Sequence, residues 1–290
     1  MSNKIKTGLV LEGGGMRGLF TAGVIDVLME NGITFDGLIG VSAGSSFGCN
    51  YKSNQPGRVL RDSLKFRNDP RYMGIMSFIL TGNIIGAKFA YHTMPDRLDI
   101  FDRNAFKRNP MEFYVVCTDT QTGEPVYHKI DTVDYQALEW LRASASMPIL
   151  SRPVKVSDGR LMLDGGISDS IPLKYFQNNE YKRNIVVLTQ PRNYQKTKSP
   201  GWIFKILMPY APKIAEAMSR RHIMYNSQLE YINQQEQHGN TLIIAPEETL
   251  PIGRLEMKAD KIKQVYNLGR ETATSQLPLI LKFLNNKNVI

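Results

Sequence analysis

An α/β fold, with a parallel sheet covered by helices, is what this chain of 290 residues predicts. Three observations carry that reading. The first fifty residues hold two strand–turn–helix units in succession, and such units close into parallel sheets with helices on their faces. Short apolar runs recur later, in "NIVVLTQP" and "NTLIIAPEE", with the length of buried strands rather than of helices. Hydrophobic residues at 42% and charged residues at 22% are those of a folded globular chain, which excludes disorder and a membrane-embedded bundle.

The elements follow in order. Residues 5 to 12 read as a buried strand, and "LFTAGVIDVLMENG" carries apolar residues at helical spacing up to Gly32. "FDGLIGVS" returns as a second strand and "AGSSFGCNYKSN" as a helix of small residues. Pro56 to Pro110 is mostly helical and loop-like, an excursion away from the sheet. "EFYVVCTDTQTGEPVYHKI" reads as a hairpin turning at Thr122 and Gly123. "DYQALEWLRASAS" is an amphipathic helix stopped by Pro148, and "RPVKVSDGRLMLDGG" is a second hairpin. Asp169 is placed to cap a helix beginning near Ile171. From Leu250 on, one long helix with a polar tail is expected. The domain reading is a main domain over 1–248, with 56–110 as its helical insertion, and a C-terminal helical extension over 249–290 packed on it.

A balance of 36 Lys+Arg against 27 Asp+Glu gives a net charge of +9, which favours anionic partners such as lipid headgroups or nucleic acid but says nothing of fold. Cys49 and Cys117 have neither the number nor the spacing of a disulfide framework or a metal site, and both read as small buried hydrophobes. The N-terminal apolar stretch is too short for a signal peptide, so a cytoplasmic protein is expected. The longest uncharged run, "YMGIMSFILTGNIIGA", is shorter than the roughly 20 residues that cross a bilayer. This run and "GWIFKILMPYAPK" are apolar with flanking cations. They suit a lipid interface, the packed core or the face of a homo-oligomer.

The chemistry lies in the turns. In "LVLEGGGMRGLF", Gly13, Gly15 and Gly18 fit the spacing of a dinucleotide-binding turn, which needs a carboxylate at the exit of the second strand to hold a ribose. Asp36 has about the right separation but enters that strand. At the exit stands "GVSAG", Gly40 to Gly44, the pattern of a nucleophile elbow that lifts Ser42 above the sheet at a helix N-terminus. The glycine turn on the neighbouring strand then acquires another use. Its backbone donors can approach the oxyanion of an acyl-transfer intermediate unobstructed. A serine hydroxyl also needs a base. His222 and His238 follow in the chain order an α/β-hydrolase requires, but one sits in a strongly charged helix and the other closes a Gln-rich stretch. Asp164 in "LMLDGG" is delivered by an apolar strand to a turn with Gly165 and Gly166, where weak hydration would raise its basicity. Asp158, in "SDGR", is an exposed hairpin tip by contrast.

Taken together, "GGGMRG" (Gly13 to Gly18), "GVSAG" and "DGG" (Asp164 to Gly166) resemble, in order, the three blocks of patatin-like phospholipases, and "RASASMPILSRPV" is similar to the stretch that precedes the acid turn there. The resemblance covers most of residues 5 to 190 and is limited, beyond that, to bacterial cytoplasmic members. It implies a three-layer α/β/α sandwich and a Ser42–Asp164 dyad without a catalytic histidine. It also implies an oxyanion hole over Gly13, Gly14, Gly15, Met16, Arg17 and Gly18, with backbone donors from Gly14, Gly15 and Met16. The implied reaction is hydrolysis of lipid acyl esters with neither metal nor organic cofactor. The expected partners are then a lipid or other acyl-ester substrate and an anionic membrane surface touched peripherally, with no nucleic acid. A lipid-binding protein without catalysis, and an esterase using His222 or His238, are the alternatives.

Overall fold

The computed structural model describes residues 5–209 and 211–285. Strand β1 (Lys6–Leu11) runs into the glycines, a 3-10 turn (Gly15–Gly18) follows, and α1 (Leu19–Glu30) returns to β2 (Gly37–Val41) and α2 (Ala43–Lys52). The excursion holds α3 (Arg58–Phe66), α4 (Ile75–Thr81), a wide π-helical segment (Phe89–Leu98) and α5 (Arg103–Arg108). Then come β3 (Glu112–Asp119), β4 (Pro125–Lys129), α6 (Tyr135–Ser144), β5 (Val154–Lys155) and β6 (Leu161–Asp164). The chain continues through α7 (Leu173–Asn178), β7 (Tyr181–Val187), α8 (Gly201–Leu207), α9 (Pro212–Gln237), β8 (Thr241–Ile244) and α10 (Ala259–Asn285).

The sheet has eight strands in the order β5-β6-β3-β2-β1-β7-β8, with β4 also on β3. From β3 to β8 every pairing is parallel. The two hairpins add the antiparallel strands β4, β5 and β6, so the sheet is mixed around a parallel centre. The central strands are buried on both faces, and their side chains alternate between two cores with period two, as in a doubly covered sheet. Leu9, Leu11, Leu38, Val115, Ile185, Val187 and Ile244 face one core with α1, α6 and α10. Val10, Ile39, Val41, Val116, Val186 and Ile243 face the other, against Phe176 of α7 and Tyr225, Leu229 and Ile232 of α9. Helices on both faces make this a three-layer α/β/α sandwich.

Local chemistry explains several boundaries. Asp102 and Asp134 cap α5 and α6 by accepting N–H bonds from Ala105 and Ala137 at 2.8 Å. Asp169 does not cap α7, as its position suggested. It is buried and accepts from Tyr127 Oη at 2.7 Å and Gln228 Nε2 at 2.6 Å, tying β4 and α9 to the acid turn. Both cysteines are buried and free, and burial pushes the Cys49 thiol up to about 12, so neither ionises at neutral pH.

Candidate active site

Strand register alone brings Ser42 and Asp164 together. Val41, the end of β2, pairs with Val116 of β3, while Asp164, the end of β6, pairs with Cys117, the next residue of β3. Since β4 pairs with Tyr114 to Thr118, it holds the other edge of β3 throughout. Strands β2 and β6 therefore share one edge and run head to head, and their last residues meet over β3. The nucleophile elbow and the acid turn leave the sheet at the same point from opposite directions.

Ser42 has φ 56° and ψ −123°, a conformation that costs on the order of 1–3 kcal/mol for a residue with a side chain. Its backbone is tied on both sides. The N–H donates to Ser144 Oγ at 2.9 Å, and that hydroxyl donates to Val116 O at 2.7 Å, bridging the gap between the two strand ends. The carbonyl accepts from the N–H groups of Ser45 and Ser46 and from Ser45 Oγ, the first turn of α2. Gly44 lets α2 close on β1, since a Cβ there would stand 2.4 Å from the Leu11 carbonyl oxygen.

Asp164 is 5% exposed, its carboxylate accepts the Gly166 N–H at 2.8 Å, and it lines the same cavity as Ser42. Its own N–H donates to Ser146 O at 2.9 Å and its carbonyl accepts from Thr118 Oγ1 at 2.8 Å, so the acid is oriented through its backbone. Burial raises its pKa above the usual carboxylate range, against the opposing pull of Ser42, Gly166, Arg221 and Arg254. A carboxylate so placed is a stronger base than one in water.

The glycine turn lies against this pair. A Cβ on Gly13 would stand 2.7 Å from Ser42 Cβ. Among the described residues the N–H groups of Gly13, Gly14 and Gly15 meet no acceptor within the fold, whereas the N–H of Met16 donates to Arg254 O at 3.0 Å and that of Arg17 to Gly14 O at 3.3 Å. Met16 is therefore not a free donor, a correction to the expected set, because the segment after β8 folds back onto the turn. Gly18 packs on Ala43 of α2, and the Arg17 Nε donates to Gly14 O at 3.4 Å.

Other candidates fall away from this centre. Asp36 stands at the entrance of β2, where it accepts from Thr7 N at 2.8 Å and Thr7 Oγ1 at 3.0 Å, at the end of the sheet opposite the glycines. His92 pairs with Glu139, His128 stacks on Trp140, His222 lies on α9 and His238 at its C-terminal end. None of the four lines either cavity that opens on Ser42. Asp158 is exposed and pairs with Arg160.

Those two cavities share Gly15, Ser42, Met147 and Arg254. The larger, about 160 Å³, is walled by apolar side chains including Phe47, Met73, Ile85, Met94, Leu141 and Leu150, many of them from the 56–110 excursion. The smaller, about 80 Å³, contains Asp164 and Glu12 together with Arg17, Lys196, Arg221 and Arg254. Sequence reasoning missed Glu12, Lys196, Tyr225 and Arg254. Glu12 and Tyr225 are joined by a 2.7 Å hydrogen bond across 213 positions, for which spacing along the chain offers no signal.

Residues 9–176 match the family model described as patatin-like phospholipase, and residues 211–285 match a domain of unknown function, DUF6363. The chain is 26% identical over 296 residues to the uncharacterized protein YjjU of Escherichia coli, covering 96% of this chain and 79% of that one. It is 30% identical over 205 residues to lysophospholipase NTE1 of Cryptococcus neoformans, covering 68% of this chain but 12% of that protein's length. With lysophospholipase nte1 of Aspergillus oryzae it shares 25% over 285 residues, covering 91% of this chain and 18% of the relative. More than half of the sequence lies within the first family model, with its elbow, glycine turn and acid turn all inside the matched segment, and the chain belongs to the patatin-like phospholipase family.

Proposed function

We propose that this lipid acyl hydrolase, an enzyme class that follows from the family itself, works through Ser42 and Asp164. The observation that carries this reading is the strained elbow, φ 56°, which opens Ser42 onto the same cavity as the buried Asp164 carboxylate. Ser42 Oγ attacks the ester carbonyl and its proton passes to Asp164. The new C–O bond leaves a tetrahedral oxyanion beside the open N–H groups of Gly14 and Gly15. Each such donor is worth about 3 kcal/mol in the transition state. Collapse breaks the bond to the alcohol, which takes the proton from Asp164. Water then attacks the acyl-enzyme, giving a proton to Asp164 that returns to Ser42 Oγ as the fatty acid leaves. The apolar cavity takes the acyl chain.

Both apolar segments singled out in the sequence carry exposed side chains. Ile75, Ile79 and Leu80 on α4 are 76%, 69% and 74% exposed, and Trp202 and Ile206 on α8 are 64% and 66% exposed. Residues beside α4, Met73 and Ile84, line the acyl cavity, and α8 packs on α9, whose Met218 borders the smaller one. Contact of these helices with a lipid surface would set the site at the interface. No helix among the described residues is long and apolar enough to cross a membrane.

Labelling with a fluorophosphonate tests the reading. The expected result is a single adduct on Ser42, lost in Ser42→Ala, whose folded protein no longer hydrolyses short p-nitrophenyl esters. An adduct elsewhere, or full esterase activity in Ser42→Ala, overturns it.

A further inference from the structure

The segment that matches a domain of unknown function, residues 211–285, is built into the catalytic fold. It supplies β8, paired with β7, and the helices α9 and α10. On α9, Arg221, Tyr225 and Gln228 stand at positions i, i+4 and i+7, which fall on one face of a helix. Each of the three reaches a different point of the two glycine-containing turns that flank Ser42.

Arg221 donates from Nε to the carbonyl of Gly166, the residue whose N–H holds the Asp164 carboxylate. Ser170 Oγ donates to the same carbonyl at 2.9 Å. Gln228 uses both ends of its amide: Oε1 accepts from Ser170 N at 3.2 Å and Ile171 N at 3.0 Å, and Nε2 donates to Asp169 Oδ1 at 2.6 Å. Tyr225 goes to the other turn. It is buried and donates from Oη to Glu12 Oε1 at 2.7 Å. Glu12, also buried, is the last residue before Gly13, and its Oε2 accepts from Thr189 N at 2.6 Å, while Thr189 Oγ1 stands 2.9 Å from the Gly13 carbonyl oxygen. The glycine turn is held at its other end by the bond from Met16 N to Arg254 O at 3.0 Å, again from within 211–285.

Glycines allow both turns their close approach, and the same freedom leaves the turns little stiffness of their own. Backbone donors stabilise an oxyanion to the extent that they are fixed before it forms. One rigid helix tied to the acid turn by Arg221 and Gln228 and to the glycine turn by Tyr225 sets the spacing of the two. We propose that the segment 211–285 serves catalysis through this face of α9: Tyr225, acting through Glu12, positions the oxyanion turn, and Arg221 and Gln228 position the acid turn. The inference rests on the hydrolase reading above and deepens it. Arg221 also acts by charge, since it and Arg254 are the cations that oppose the raised pKa of Asp164. Arg17, Lys196 and Glu12 line the same cavity, and Cys117 of β3 and Tyr91 of the π-helical segment are both pushed up by burial and stay neutral beside the carboxylate.

The test follows hydrolysis of p-nitrophenyl butyrate well below the melting temperature of each variant, so that kcat and KM describe folded protein. Tyr225→Phe keeps the ring and removes only the bond to Glu12, and Gln228→Met keeps the length of the side chain and removes its hydrogen bonds. Each should lower kcat about ten- to hundredfold with KM within about twofold of the parent, and should slow phosphonylation of Ser42 by a fluorophosphonate in parallel. In a Glu12→Gln background, Tyr225→Phe should cost little more, because the two share one path to the turn. Arg221 separates geometry from charge. Arg221→Lys keeps the cation and loses the Nε bond, so kcat should fall while the pH midpoint of kcat/KM holds. Arg221→Gln loses both, and the midpoint should also move to higher pH, since a cation that favours the Asp164 carboxylate is gone. Parental kcat in both Tyr225→Phe and Gln228→Met, or fully additive losses for Tyr225 and Glu12, or an unmoved midpoint in Arg221→Gln, overturns the proposal and leaves α9 a cover for the sheet. Absence of a fluorophosphonate adduct on Ser42 in the parent protein brings down the hydrolase reading itself.

Discussion

At the scale of single residues, the proposed pairing of Ser42 with Asp164 makes a sharp division between the carboxylate and the histidines. Asp164→Asn keeps the shape of the acid turn but cannot take the serine proton, and a general base contributes about 10²- to 10⁴-fold. Ester hydrolysis should fall by that much, while His222→Ala and His238→Ala stay within a few-fold of the parent. A histidine variant as inactive as Asp164→Asn would move the base to that histidine. The raised pKa of Asp164 sets the pH dependence. The base works ionised, so kcat/KM should rise with pH through a value above the ordinary carboxylate range. For stability the sign is opposite: the folded state holds the Asp164 proton more tightly than the unfolded chain, so stability declines as pH rises from the unfolded pKa to the folded one. Thermal unfolding of Asp164→Asn should therefore gain on the parent as pH increases across that window, and a gap independent of pH would contradict the burial argument.

Elements show why parts of the site were legible in the sequence and others were not. The glycine turn, the elbow and the acid turn are local: each is an apolar strand followed by glycines, and five to twelve residues contain the whole signal. Gly44 illustrates how directly that signal reports packing. With its Cβ position 2.4 Å from the Leu11 carbonyl, Gly44→Ala has to push α2 away from β1. Overpacking of this kind costs typically 1–3 kcal/mol. Urea denaturation should show that loss together with reduced activity, and unchanged stability would mean that α2 has room the structure denies it. The meeting of β2 with β6, by contrast, depends on which edge of β3 each takes, and hydrophobic periodicity is the same for either edge. The parallel centre of the sheet followed from repeated strand–turn–helix units. The placement of Arg254 on the glycine turn did not, because it is a backbone bond between segments more than 230 positions apart with no side-chain preference to reveal it. Asp169 misled for a related reason: a carboxylate just ahead of a helix expected near Ile171 reads as a cap, whereas α7 begins at Leu173 and the carboxylate is bound by Tyr127 and Gln228.

At the scale of the whole molecule, the net charge of +9 divides into cations turned inward and cations turned out. Arg221, beyond "GWIFKILMPYAP" in the chain and next to the exposed Arg220, instead lines the cavity that holds Asp164 and bonds the Gly166 carbonyl. Lys198, Lys205, Lys213 and Arg220 remain exposed in the segments that carry and flank α8, near Trp202 and Ile206. Each basic residue close to an anionic membrane contributes about 1 kcal/mol, and the attraction fades beyond a Debye length of about 8 Å at physiological ionic strength. Several acting together would favour anionic vesicles at low salt, with the exposed apolar side chains of α8 and α4 supplying a part that salt does not screen. Co-sedimentation should therefore show stronger binding to anionic than to neutral vesicles, a preference that shrinks as salt is added. Replacing Lys198, Lys205 and Arg220 with Gln should reduce it, and Trp202→Ser should weaken binding to both kinds of vesicle. Hydrolysis of a small neutral ester, which needs no surface, should change little over the same salt range. Equal binding to neutral and anionic vesicles at low salt would leave the outer charge as a determinant of solubility, and the exposed helices α4 and α8 would then be faces for a second copy of the chain, detectable as a dimer that dissociates on Trp202→Ser.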